Sequence, residues 1–122
     1  MPEGWEDANE SDEYETIADS ANSKHIMKIF NETLPSSAPT AADKAAADLA
    51  KNADRYTDEG KQTIGNYEWT LVGFTFNGNP SVFAYADASD DTCVKVTVYE
   101  LTAADPAVQT VLSTLAIDQS QL

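Results

Sequence analysis

The sequence predicts an α+β fold: an antiparallel meander of three to four β-strands over about residues 62–101, packed with two N-terminal helices and a short C-terminal helix. Three observations carry this expectation. Aromatic and β-branched residues are concentrated between Tyr67 and Leu101, in runs that alternate with polar residues. Dense turn formers, Asn77-Gly78-Asn79-Pro80 and Ala88-Ser89-Asp90-Asp91, divide those runs. The segments on either side carry apolar residues near a helical period.

Taken in order, residues 1–15 hold seven acids and no base, with Trp5 and Tyr14 as their main apolar residues. They read as a flexible acidic leader to a single domain over residues 16–122. From Thr16 the stripe Ile17, Ala21, Ile26, Ile29, Phe30, Leu34 predicts a first helix ending before Pro35. His25 lies beside this stripe as a packing or surface residue, with no partner at ligand spacing. After a Pro35–Thr40 linker, Thr40 as N-cap and Asp43 in the first turn start a second, alanine-rich helix that runs to Asp58-Glu59-Gly60. Gln62–Ile64 is a short candidate strand. At the C-terminal end, Asp105-Pro106 is a helix start, with Val108, Val111, Leu112 and Leu115 on one face.

Within the meander, every plausible register of the Asn77–Pro80 hairpin puts Val72, Phe74 and Phe76 on one face with Phe83 and Tyr85. With Asp87 opposite Thr92, Val94, Val96 and Val98 join them, and this Val/Phe face is the expected core. A one-residue bulge in the second loop would flip the third strand.

Function is less legible. The net charge is −14, and half of that excess lies in residues 1–15. An acidic surface disfavours nucleic acid and anionic membranes, while permitting basic partners or serving solubility alone. The single cysteine, Cys93, excludes an intrachain disulfide, and no apolar run reaches transmembrane length. One His, one Cys and no glycine-rich phosphate loop leave no catalytic constellation, and no cofactor is expected. Asp87, Asp90 and Asp91 are weak metal candidates whose spacing is not that of an EF-hand loop. The candidate binding residues are Trp69, Leu71, Val82, Lys95 and Tyr99, on the sheet face opposite the expected core. Exposed there, they would anchor a protein, peptide or glycan. The expectation is a non-enzymatic, extracytoplasmic (cell-envelope) binding or accessory domain tethered through its N-terminus. The alternative is a cytoplasmic acidic inhibitor, such as an immunity protein or nucleic-acid mimic.

Overall fold

The computed structural model describes residues 4–10, 14–89 and 91–120. The described residues form seven strands and two helices: β1 (Trp5–Glu10), β2 (Tyr14–Asp19), β3 (Asn22–Thr33), α1 (Ala41–Lys51), β4 (Thr57–Ile64), β5 (Tyr67–Phe76), β6 (Asn79–Asp87), β7 (Thr92–Tyr99) and α2 (Pro106–Thr114). All strands join one antiparallel sheet in the order β1-β2-β3-β7-β6-β5-β4. The fold is therefore mostly β, and the expected three- to four-stranded meander with three helices is corrected.

The largest correction is the first helix, which is the β2–β3 hairpin. Its turn is set by short polar side chains: Asp19 accepts from the Ala21 amide (2.9 Å) and Asn22 from the Lys24 amide (3.0 Å). The apolar residues mimic a helical stripe because β3 is apolar on both faces, with Met27 and Ile29 on one and Ile26 and Phe30 on the other. A strand covered or half-covered on both sides loses the clean alternation that marks a one-sided strand. The expected leader is likewise corrected over Trp5–Glu10, which pairs with β2 as an edge strand, Trp5 being 9% exposed.

The meander register departs from the expected one in a single place. The β5–β6 hairpin turns on Asn77-Gly78, both at left-handed φ (51° and 79°) as a two-residue type I′ turn requires, and Val72 lies opposite Phe83. In the next loop Asp87 lies opposite Cys93, one residue beyond the expected Thr92, with Asp91 at φ 58°. That shift sends Val94, Val96 and Val98 to the face of Leu71, Val82 and Ala84, and leaves Cys93, Lys95, Thr97 and Tyr99 with Val72, Phe74, Phe83 and Tyr85.

Both faces consequently have cores. On one, Trp69, Leu71, Val82, Ala84, Ala86, Val94, Val96, Val98, Met27, Ile17 and Trp5 pack with Val108, Val111 and Leu112 of α2. Asp105 caps α2 through the Ala107 amide (2.9 Å), with Pro106 at its first turn. Gly65, at φ 66°, permits the close seating of α2 on the β4–β5 hairpin, since a Cβ there would stand 2.7 Å from Ser113 Cα. The segment after α2 docks through Tyr67, whose hydroxyl donates to the Ile117 carbonyl (3.2 Å) and accepts from its amide (2.9 Å). On the other face, α1 covers Val72, Phe83, Tyr85 and Cys93 with Ala41, Ala45 and Leu49. Thr40 caps α1 as expected, and Asp87 reaches across to accept from the Ala41 amide (2.6 Å).

The edge strands are protected. β1 is bulged between Asp7 and Asn9 and carries acids, and β4 is bulged between Asp58 and Gly60 beside Glu59. Bulges and charges of this kind discourage edge-to-edge pairing.

Candidate binding face

The α1 side of the sheet is covered over only part of its width. Cross-strand pairs extend that face from β7 outward: Tyr99 lies opposite Ile26, Thr97 opposite Lys28, Lys95 opposite Phe30, and Phe30 opposite Tyr14. None of these residues belongs to the cluster under α1. The alternation Lys24, Ile26, Lys28, Phe30 along β3 therefore presents cations and apolar groups to the same open surface.

Aromatic rings form a nearly continuous band from the edge of the α1 cluster onto this open surface. Phe74 stacks on Phe83 (centroids 4.2 Å apart, 16° between planes), Phe76 meets Tyr99 edge-on at 4.7 Å, and Tyr14 lies 5.0 Å from Phe30. Lys28 Nζ bridges the band, 5.3 Å from the Tyr14 ring and 5.6 Å from the Tyr99 ring. Phe76, at 40%, is the exposed large apolar side chain among the described residues. Lys24, Ile26, Lys28, Phe76, Asn77, Tyr99 and Glu100 line a groove of about 500 Å³ at this end of the face. Among the described residues no carboxylate lies within 4 Å of either Lys24 or Lys28.

Where the open half meets α1, an ionic cluster ties helix to sheet. Lys44 Nζ donates to Asp48 Oδ1 (2.8 Å) and the Tyr85 hydroxyl to Asp48 Oδ2 (2.8 Å). Lys95 lies 3.8 Å from Glu32 and 3.9 Å from Asp48, with its Nζ 4.5 Å above the Phe83 ring. Burial works to raise the Asp48 carboxyl, but the hydrogen bonds from Lys44 and Tyr85 outweigh it and hold the group below its ordinary range. Burial and the Asp48 bond push the Tyr85 hydroxyl far up, and burial pushes the Cys93 thiol up to about 11. These groups are poised for cohesion rather than proton transfer near neutrality.

A second concavity, of about 420 Å³, lies at the β4 bulge between Arg55, Gln62, Gly73, Ser81 and Thr102, with the Glu59 side chain laid over Gly73. Its cation, Arg55, is already hydrogen bonded to Asn52 (2.6 Å).

The residues expected to form one binding strip are divided. Trp69, Leu71 and Val82 lie in the core beneath α2, Trp69 being 0% exposed. Lys95 and Tyr99 lie on the opposite, α1 side of the sheet, and Tyr99 alone lines the groove. Of the aspartates considered for metal, Asp87 is engaged at the α1 N-terminus, Asp91 is exposed in the loop, and Asp90 lies outside the described residues. No group of three or more potential metal-ligating side chains occurs among the described residues. Lys24, Lys28 and Phe76 were not expected at a site, although the period-two array from Lys24 to Phe30 is visible in the sequence.

This architecture, a seven-stranded antiparallel sheet with a helix on each face, has a counterpart among solved structures. A protein from Bacteroides thetaiotaomicron, determined by crystallography at 1.50 Å, is similar over 95% of this chain with a TM-score of 0.55 and 12% sequence identity. The chain spans 42% of that protein's length, and at this identity the likeness concerns the fold alone. No family model and no curated protein matches the chain. No helix among the described residues is long and apolar enough to cross a membrane.

Proposed function

We propose that this chain is a non-enzymatic binding domain whose ligand surface is the open half of the α1 side of the sheet. The observation that carries this reading is the juxtaposition, in one groove, of exposed Phe76 and half-buried Tyr99 with Lys24 and Lys28, neither of which has a carboxylate partner among the described residues. Half-exposed aromatic residues beside unpaired cations supply contact area at small entropic cost, together with directional charge. Cys93 and Tyr85 are buried, and Asp48 is ion-paired with Lys44. Placement in the cell envelope, with attachment upstream of β1, belongs to the same proposal. The buried Cys93 thiol is compatible with an oxidising compartment. The partner classes to be compared on this face are protein, peptide and glycan.

The test is a screen of soluble peptides and oligosaccharides against ¹⁵N-labelled protein. Ligands should perturb the amides of Ile26, Lys28, Phe76 and Tyr99. Perturbations confined to the β4-side cleft, or turnover of a ligand, would overturn the reading. Fractionation of the native protein with the cytosol would remove the envelope placement.

A second reading, the acidic inhibitor, gains from the finding that Glu6, Asp7, Glu15 and Asp19 sit on paired strands. Charge reversal at Glu6 and Asp7 would then abolish affinity for a basic protein partner while leaving the lysine groove intact.

A further inference from the structure

We infer that the Lys24–Lys28 groove takes a carboxylate-bearing sugar, an acidic saccharide of the uronate type. This inference rests on the binding reading above and names the ligand class for that surface. Three chemistries meet within the groove. Tyr99 and Phe76 offer ring faces and edges, Lys24 and Lys28 offer cations, and Asn77 and Glu100 offer hydrogen-bonding groups. A uronate ring presents the complement of all three on one small rigid body: apolar C–H faces, a carboxylate and hydroxyls. About 500 Å³ is the scale of a small-ligand site, and its open side leaves the remaining hydroxyls in water.

The backbone conformation at the groove's lip adds an independent observation. Asn77, Asp91 and Glu100 are the described non-glycine residues at left-handed φ, and two of the three line this groove. Asn77 is accounted for by its hairpin turn. Glu100, at φ 62°, is a costlier occupant, because a long side chain gains no local hydrogen bond from that conformation. It is held by two cross-strand bonds. Its amide donates to Ser81 Oγ (2.7 Å), and its Oε1 accepts from Asn79 Nδ2 (2.6 Å). A strained residue whose carboxylate is fixed at a groove margin is pre-organised, with acceptor capacity left for ligand hydroxyls.

The same surface is poorly suited to a peptide. The groove floor belongs to β3 and β7, which pair with each other, so few backbone groups are free to take up a peptide's amides. Laid on aromatic rings, those amides would be desolvated without partners. Strand addition at the sheet edges is discouraged by the bulges in β1 and β4. The net charge of −14 disfavours an anionic ligand at long range, so the lysines must act on the carboxylate at contact range.

The experiment uses trigalacturonic acid, its fully methyl-esterified neutral counterpart, and poly-L-glutamate, each titrated into the whole chain by calorimetry and followed by amide shift mapping. Trigalacturonic acid should bind, with shifts centred on Ile26, Lys28, Phe76 and Tyr99, and the ester should bind at least tenfold more weakly. Lys28→Met keeps an apolar stem over the rings and removes the charge. It should weaken the acid at least tenfold, leave the ester unchanged and leave the melting temperature unchanged. Phe76→Ser should weaken both sugars, and Lys61→Gln, outside the groove, neither. Equal binding of acid and ester, or no binding of either, overturns the uronate assignment. Binding of poly-L-glutamate alone at the same amides overturns it in favour of an acidic peptide and leaves the binding face standing. Saturable shifts elsewhere overturn both readings. Concentration-dependent dimerisation that protects these amides assigns the groove to a second copy of the chain and overturns the saccharide.

Discussion

Trp69 gives the most decisive test of the two-core architecture. It is 0% exposed beneath α2, and its Nε1 is the described buried side-chain polar atom without a hydrogen-bond partner. Two substitutions then separate two contributions. Trp69→Ala removes the whole ring and leaves a cavity between the sheet and α2, a change that costs about 3–5 kcal/mol. Trp69→Phe keeps most of the apolar contact and deletes an orphaned donor whose burial costs about 1–3 kcal/mol. The lost ring area and the relieved donor oppose each other, so Trp69→Phe should lie within about 1 kcal/mol of the parent protein. Equilibrium urea unfolding, followed by far-UV circular dichroism, reads both differences through the midpoint at constant slope. If Trp69→Phe were as damaging as Trp69→Ala, the indole N–H would be partnered and the packing argument mistaken. If Trp69→Ala cost less than about 1 kcal/mol, this face would not be closed by α2. The phenylalanine variant should also leave ligand binding on the α1 side untouched, because the two faces share no surface.

Other perturbations probe the remaining structure. Gly65→Ala should destabilise the chain by about 2–4 kcal/mol in the same assay, combining left-handed backbone strain with a collision against the Ser113 main chain 2.7 Å away. Trp5→Ala should cost about 2–3 kcal/mol if β1 contributes to the core, whereas a free leader would give almost no change. Stability should decline on the alkaline side. The Cys93 thiol ionises near its ordinary 9.0 when unfolded and near about 11 when folded, so its contribution is full below pH 9 and is lost as pH rises to about 11. After discounting for solvent screening, the loss is about 2 kcal/mol, and Cys93→Ala should flatten this limb of the pH–stability curve. Raised values for Tyr85 and Lys44 have the same sign, so a decline beginning above pH 10 should persist in that variant.

Much of the local chemistry was legible in the sequence, because it depends on neighbours a few residues away. The Asn77-Gly78 turn, the Thr40 and Asp105 caps, the pairing of β5 with β6, and the placement of Phe74 with Phe83 all follow from near-neighbour rules. What was not legible depends on what lies across the sheet. The parity of β7 turned on one loop residue, Thr92, and a single-residue slip exchanged the roles of Val96 and Lys95. That exchange parted Lys95 and Tyr99 from Trp69, Leu71 and Val82, which α2 covers. Residues Ile17 to Leu34 imitated a helix because Met27 and Ile26 are both sheltered, on opposite faces, which no local pattern reveals. The acids of residues 1–15 concealed a strand anchored by Trp5, since charge on an edge strand and charge in an unfolded tail look alike in sequence.

The open half of the α1 face follows from dimensions. Seven strands spaced about 4.8 Å apart span roughly 29 Å, and one helix about 10 Å across shelters little more than two of them. On the opposite face α2 is supplemented by Leu101, Ala103, Leu115 and Ile117. Some aromatic surface must therefore meet water, and a lysine stem laid over it is an inexpensive cover. Lys28, above Tyr14 and Tyr99, fits that purely protective description as well as it fits a ligand contact. The two roles make different demands on the side chain. Protection needs only the methylenes, which methionine also supplies, whereas anion recognition needs the charge, which methionine lacks. Lys24 sharpens the distinction. It is exposed at the groove's margin, covers no ring at cation–π range, and has no carboxylate within 4 Å among the described residues. A second cation placed beside the first in a chain of net charge −14 is not explained by shelter, and its neighbourhood is where an anion gains most.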